Sequence, residues 1–421
     1  MKIASEIRKV KFQLRSFLGK LPVCKTAKRF VLNVVYGITG RASLRLTEIG
    51  RALQEPIKLQ KTVNRLSQQL DRAGLWLELT RFTLQEAKER INDRTLLVLD
   101  LSDITKRYAE KMEYMATVRD GSKKELGNGY WLCQIVGVES GRSELTPLLN
   151  HLWSQKAPGH HSENEEILRC MGLVQEEVGP RGIWVIDRGG DRGNLFYPFL
   201  DRGWDFLVRL MGTRFLRYEG TDILASDLAK SCPLPYRKTI THTSSNGNTR
   251  VLDLQYGFRK VRLPERADDL YMIVVQGFGD EPLMLLTNVS IRRMAGDVWW
   301  FIESYITRWR VEDLLRFLKQ SYHLEDIRLL GYRRLQNMMA LLMLTAYFNM
   351  VVLGQNVRLR ALLYSTTRLA NRLVGAVTFQ YYAIAEGLRE MLSKSRVQPF
   401  PREIKPPKNP IQMCMFHTNT S

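Results

Sequence analysis

A mixed α/β fold is predicted by three observations on the sequence. Two apolar runs, Thr95–Leu101 and Gly182–Asp187, each reach an aspartate, as buried central strands do. Further strand-like segments fall at Trp131–Val138, Glu144–Leu152 and Phe206–Leu210, with helical spacing over Asn164–Val174 and a short helical segment before Phe206. The order is therefore three strands, helix, strand, helix, strand.

The elements before and after this region have their own character. Residues 1–90 read as a helical basic domain: from Met1 to Phe82 there are 17 Lys/Arg against 5 Asp/Glu, so +12 lies in about a fifth of the chain. Leu46, Ile49 and Leu53, then Ile57, Val63, Leu66 and Leu70, recur at helical steps around a break at Gln54-Glu55-Pro56. Residues 91–211 and 282–330 read as one α/β domain, interrupted by a β-rich insertion over 212–281 that carries the turn-like segment 244–248. A long helix is expected from Gly296 to Tyr322, a helical region over 331–395, and a proline-rich disordered tail over 396–421.

Composition narrows the partner. The 421 residues hold 63 Lys/Arg and 43 Asp/Glu, a formal +20, and a chain this basic seeks a polyanion. A membrane surface is disfavoured: the apolar stretch Met338–Leu353 falls short of the roughly 20 residues a span needs and contains Thr345, Tyr347 and Asn349, so it reads as a core helix. The charged N-terminus lacks the apolar run of a signal peptide, and the five scattered cysteines form no C-x-x-C pair, which together point to the cytoplasm. Arg41, Arg45, Arg51, Lys58, Lys61 and Arg65 on the exposed side of the N-terminal helices suit duplex DNA, because charge density alone drives phosphate binding.

Two strand-end aspartates and an acid on a later helix suit hard divalent cations, which prefer carboxylate oxygens. Two such ions about 4 Å apart can stabilise both the attacking and leaving oxygens of a displacement at phosphorus. Singly, Asp100 and Asp187 are no more than strand-end residues that could cap a turn. Asp103, Asp191 and Asp313 compete with them, but Asp100 and Asp187 sit at the ends of apolar runs, where a sheet holds them rigidly. On a 3.6-residue helix Tyr305, Arg308, Glu312 and Lys319 fall within an arc of about 60°. That face puts an acid between two cations able to grip phosphates, although an ordinary i,i+4 Arg308–Glu312 surface pair has the same spacing. Trp299, Trp300 and Trp309 could stack on an unpaired base, but core packing is the commoner use of such rings.

The pattern Y-x-x-R-x-x-x-E-x-x-x-x-x-x-K over Tyr305–Lys319 resembles the signature of the insertion sequence 4 family of bacterial DDE transposases. Val98–Ile104 and Trp184–Arg188 are similar to that family's two aspartate segments, and Leu46–Arg51 to a stretch found in its N-terminal region. The motifs run in the expected order from about residue 43 to 322. The resemblance implies a ribonuclease H-like catalytic core with a β-rich insertion, preceded by a helical DNA-binding domain; Glu312 follows Asp187 by 125 positions, which leaves room for such an insertion. It further implies that Asp100, Asp187 and Glu312 ligate two Mg²⁺ ions, or Mn²⁺, while Tyr305, Arg308 and Lys319 position DNA phosphates. The implied reaction is hydrolytic nicking followed by 3′-OH strand transfer. The implied partners are double-stranded DNA, as terminal inverted repeats and target, and a second copy of the chain in a synaptic complex at the bacterial nucleoid. A metal-dependent nuclease without strand transfer and a non-catalytic DNA-binding protein of transposase descent are the competing readings.

Overall fold

The computed structural model describes residues 3–106, 109–119, 125–142, 144–243, 249–354, 380–395 and 397–401. The turn expected over 244–248, part of the helical region (355–379) and nearly all of the tail lie outside them. So do the side chains of 309–311, 313 and 315.

Five helices open the chain: α1 (Ile3–Gly19), α2 (Lys25–Arg41), α3 (Leu46–Leu53), α4 (Leu59–Leu70) and α5 (Leu75–Ala87). The expected break around Pro56 separates α3 from α4, since Pro has no N–H to continue a helix. Their apolar stripes bury Val34, Ile49, Leu66 and Leu79 almost completely.

A ten-stranded sheet follows. Its first strands are β1 (Leu96–Thr105), β2 (Ala116–Arg119), β3 (Leu126–Val138) and β4 (Leu145–Trp153), then β5 (Ile183–Ile186) and β6 (Phe206–Arg209). β4, β3 and β1 pair antiparallel, whereas β1, β5 and β6 run parallel, giving the order β4-β3-β1-β5-β6. Parallel neighbours need crossovers, and α6 (Glu163–Val178) and α7 (Gly193–Asp201) supply them. The α6 start is written in the sequence: Ser162 Oγ accepts the Glu165 N–H at 3.2 Å, and Glu163, Glu165 and Glu166 occupy the positive first turn.

The small hairpin of β7 (Phe215–Tyr218) and β8 (Thr221–Leu224) and the short α8 (Ala225–Lys230) come next. The remaining strands of the β-rich stretch are β9 (Tyr236–Thr243), β10 (Thr249–Val261) and β11 (Leu270–Gln276), followed by β12 (Leu283–Thr287). They extend the same sheet: β12 pairs antiparallel with β6, and β11, β10 and β9 follow outward.

The helix expected from Gly296 to Tyr322 is divided into α9 (Ala295–Thr307) and α10 (Trp309–Ser321). Arg308 between them keeps right-handed helical angles, but its N–H bonds the Tyr305 carbonyl three residues back at 3.1 Å. This is a local tightening of the coil, not a reversal of direction. α11 (Tyr332–Tyr347), continued by a wide turn over Phe348–Leu353, lies on β4 and against α2 and α5. Tyr332–Leu353 is long and apolar enough to cross a membrane, yet 89% of its most apolar window is buried inside the structure, as in a core helix. α12 (Gln380–Ser393) closes on α2.

Candidate active site

The sheet sets the two aspartates side by side. Val98 pairs with Val185 in the parallel β1–β5 ladder, and continuing that register brings Asp100 beside Asp187. Asp187 retains extended backbone angles (φ −75°, ψ −172°), so it carries the strand direction one residue past β5. The chain then turns at once, and Gly190 makes that turn possible: a Cβ there would lie 2.8 Å from Ile186 Cγ2. Ile186 pairs with Val208, which puts Arg209 next in the same row.

Helices α9 and α10 bring the third acid and the cation among them. The Tyr305 hydroxyl donates to Asp187 Oδ1 at 2.7 Å. The Arg308 guanidinium, only 4% exposed, stands 3.9 Å from Asp100 Oδ1 and 3.6 Å from Asp187 Oδ2. It donates to Glu312 Oε1 at 3.2 Å. Arg209 Nη1 lies 4.0 Å from Asp187 Oδ1. Three carboxylates from distant parts of the chain thus surround one buried cation.

Lys319 lies along α10 beyond Glu312, 3.9 Å from Glu325, on an open cleft of about 460 Å³ lined also by Glu312, Arg316, His323 and Asp326. Arg45, from the loop before α3, reaches the rim of that cleft and pairs with Asp326 at 2.9 Å. The other cations expected to meet DNA differ in their engagements. Arg65 pairs with Glu55 at 2.7 Å, and Arg51 pairs with Glu48. Lys58 and Lys61 are exposed, Arg41 is half-buried, and none of the three has an ion-pair partner among the described residues.

The competing aspartates are occupied elsewhere. Asp103, three residues along β1, faces the opposite side of the sheet from Asp100 and accepts the Thr105 hydroxyl at 2.7 Å. Asp191 is buried, bonded to Arg214 and to the Met211 N–H at 2.7 Å. The side chains of Asp313 and Trp309 lie outside the described residues. Trp299 is largely buried with Lys238 Nζ 4.1 Å from its ring centre, and Trp300 has Arg94 5.2 Å from its own.

Electrostatics separate the two aspartates. Burial pushes Asp100 up to about 6, with Glu312 and Asp187 adding to the rise and Arg308 opposing it. Burial acts on Asp187 too, but the Tyr305 hydrogen bond, Arg308, the Arg188 N–H and Arg209 together outweigh it and hold that carboxyl below its usual value. Burial works against the Arg308 charge as well, and the surrounding acids more than restore it.

A stability effect follows from the Asp100 shift. Its folded-state pKa exceeds the ordinary 3.8, so the folded protein holds this proton more tightly than the unfolded chain, and stability falls as pH rises between the two values. Asp100→Asn should therefore raise the denaturation midpoint of the metal-free protein at pH 7. The gain should shrink as pH drops below about 6 and vanish below about 4. A pH-independent gain, or none, would contradict the burial of this charge.

The row of carboxylates offers the oxygen donors that hard divalent cations prefer. Three acids against one guanidinium leave an excess of negative charge, which adds to the effect of burial on Asp100. As the side chains lie, Arg308 stands among them, and no three His, Cys, Asp or Glu side chains among the described residues are grouped closely enough to enclose a metal. The donor chemistry fits a divalent cation.

Residues 151–348 match the family model described as the transposase DDE domain, a segment that contains Asp187, Tyr305, Arg308, Glu312 and Lys319 and begins after Asp100. The match supports a DDE transposase. No curated protein matches the chain. Among solved structures, a piggyBac transposase synaptic complex with hairpin DNA, determined by cryo-EM, is similar at 12% identity with a TM-score of 0.39. That likeness covers 82% of this chain and 62% of the other, so the chain spans less than two thirds of that transposase chain's length. The match suggests an enzyme that cleaves or transfers DNA.

Two residues at the site were not singled out by sequence reading. Arg209 ends an apolar run, Phe206-Leu207-Val208, just as Asp100 and Asp187 do, and that shared position is the signal that could have found it. Gln134, the polar residue within Trp131–Val138, is the other.

Proposed function

We propose that this chain excises and inserts an insertion sequence by phosphoryl transfer, as a member of the insertion sequence 4 family. The observation that carries the reading is the convergence of Asp100, Asp187 and Glu312 on Arg308, each within 4 Å of its guanidinium. A ribonuclease H-like core is supported by the order β4-β3-β1-β5-β6, antiparallel on one side of β1 and parallel on the other.

In this reading Asp100, Asp187 and Glu312 would hold two Mg²⁺ or Mn²⁺ ions. Bound there, the ions would stabilise charge at the phosphorus undergoing substitution. Tyr305 keeps Asp187 ionised and oriented by its hydrogen bond. Arg308 balances the carboxylates before DNA arrives and has the fork geometry to take a phosphate afterwards. Lys319 and Arg316 line the open cleft along which the strand leaves the site. Water attacks phosphorus at the element's end and the bond to O3′ breaks, releasing a 3′-hydroxyl. That hydroxyl then attacks a target phosphorus and displaces the target's own 3′-oxygen. The enzyme acts as a homodimer joining two inverted-repeat ends, in the bacterial cytoplasm at the nucleoid.

A labelled DNA end, a target plasmid and Mg²⁺ test this directly. Joined end–plasmid product is expected. Nicks without joined product, across candidate ends taken from the flanking inverted repeats, would make the chain a nuclease.

The N-terminal cations carry a separate expectation. Lys58→Ala with Lys61→Ala should weaken binding to any duplex and reduce the slope of log affinity against log salt by about 2, since each phosphate contact contributes about 0.9. An unchanged slope would remove these lysines from the DNA interface.

A further inference from the structure

We propose that Gln134 is a positioning residue for Asp100, its amide N–H fixing the carboxylate in the orientation that receives a divalent cation. The inference rests on the metal-dependent reading above. Gln134 is the direct partner of Asp100 in the antiparallel β1–β3 ladder. Directly opposed residues share a face of the sheet, with Cβ atoms about 4.5–5.5 Å apart. The side chain is 1% exposed, and neither Nε2 nor Oε1 has a hydrogen-bond partner among the described residues.

Such an amide is expensive to bury. Both of its polar atoms lose water and receive nothing in return, and an apolar side chain of the same shape would serve the core as well or better. Packing therefore does not account for a glutamine in the middle of this strand. Its neighbours do. On one side Asp100 has, among the described residues, one ion-pair contact, Arg308 at 3.9 Å, too long to be a hydrogen bond. On the other side Gln134 pairs with Asn150, whose Oδ1 is also buried without a partner among the described residues. Asn150 Nδ2 already points to Met339 Sδ at 4.0 Å, which leaves that Oδ1 as its free acceptor.

The two hydrogens on Gln134 Nε2 match these two acceptors. One donated to Asn150 Oδ1 anchors the amide, and the other donated to Asp100 fixes the plane of its carboxylate. Partners of this kind behind a metal ligand are worth about 10–100-fold in metal affinity.

The test uses Gln134→Met, which keeps length and flexibility and removes both polar atoms. Mn²⁺ binding to the full chain is followed by the electron paramagnetic resonance of free Mn²⁺, beside wild type and Asp100→Asn, together with denaturation midpoints. Gln134→Met should bind Mn²⁺ about 10–100-fold more weakly while its midpoint is unchanged or higher. Wild-type affinity in Gln134→Met, with binding lost in Asp100→Asn, would overturn the inference alone. A lower midpoint or failure to fold would assign the amide to core packing and overturn it too. Undiminished binding in Asp100→Asn would instead remove the metal reading itself, and this inference with it.

Discussion

Asp100→Asn, Asp187→Asn and Glu312→Gln should each lower Mg²⁺-dependent nicking by at least about 10³-fold, which is about 4 kcal/mol of barrier, while DNA affinity changes little. The size follows from position. Asp100 and Asp187 are adjacent in the β1–β5 register, and Glu312 meets them through the same guanidinium. Each substitution keeps shape and removes one charge, so it subtracts from the stabilisation of charge at phosphorus and from little else. Affinity for DNA comes chiefly from Lys and Arg on phosphates, and these are untouched. Asp100→Asn should be more stable than wild type above pH 6 and yet inactive, a combination that damage to the fold cannot produce. Nicking within tenfold of wild type in any of the three would remove that residue from the site.

Arg308→Ala should have the second largest effect, and a different one. Arg308 is buried and lies within 4 Å of all three acids, so its loss leaves Asp100 buried against two like charges. Breaking a buried pair on one side typically costs about 3–5 kcal/mol. Asp187 and Glu312 remain half exposed to water, so a loss of about 2–3 kcal/mol is expected here at pH 7. Two conditions should return much of it: pH below about 4, where Asp100 is protonated in both states, and millimolar Mg²⁺ or Mn²⁺, which replaces the missing charge. Denaturation curves at pH 4 and pH 7, with and without Mg²⁺, check this. A loss of stability equal at both pH values and indifferent to Mg²⁺ would mean that Arg308 acts by packing and not by charge. End binding should weaken as well, with a shallower salt dependence, if the guanidinium also takes a phosphate.

Much of the scaffold was legible because its signals are local. The apolar runs ending at Asp100 and Asp187 became β1 and β5, and helical spacing with Ser162 as cap became α6. The arc shared by Tyr305, Arg308 and Glu312 survives the tightening at Arg308 because that residue keeps helical angles. What escaped was long-range. The strands over 236–276 read as an insertion in a domain, but they continue the sheet outward from β6 through β12, a pairing that no local pattern encodes. Arg209 and Gln134 became visible only when register placed them in the row with Asp100 and Asp187. Tyr305 and Arg308, expected to face phosphates, contact the carboxylates. Periodicity tells which residues share a helix face, and packing decides what that face meets.

Segments around residues 100, 187 and 312 share one divalent-cation site in this reading. Fe²⁺ in place of Mg²⁺, with ascorbate and peroxide, generates hydroxyl radicals at the metal and cuts the nearby polypeptide backbone. Mass spectrometry of the fragments should locate cuts near Asp100, Asp187 and Glu312 together, suppressed by excess Mg²⁺ and lost in Asp100→Asn. Cuts confined to other segments, or cuts at these three that persist in Asp100→Asn, would contradict it.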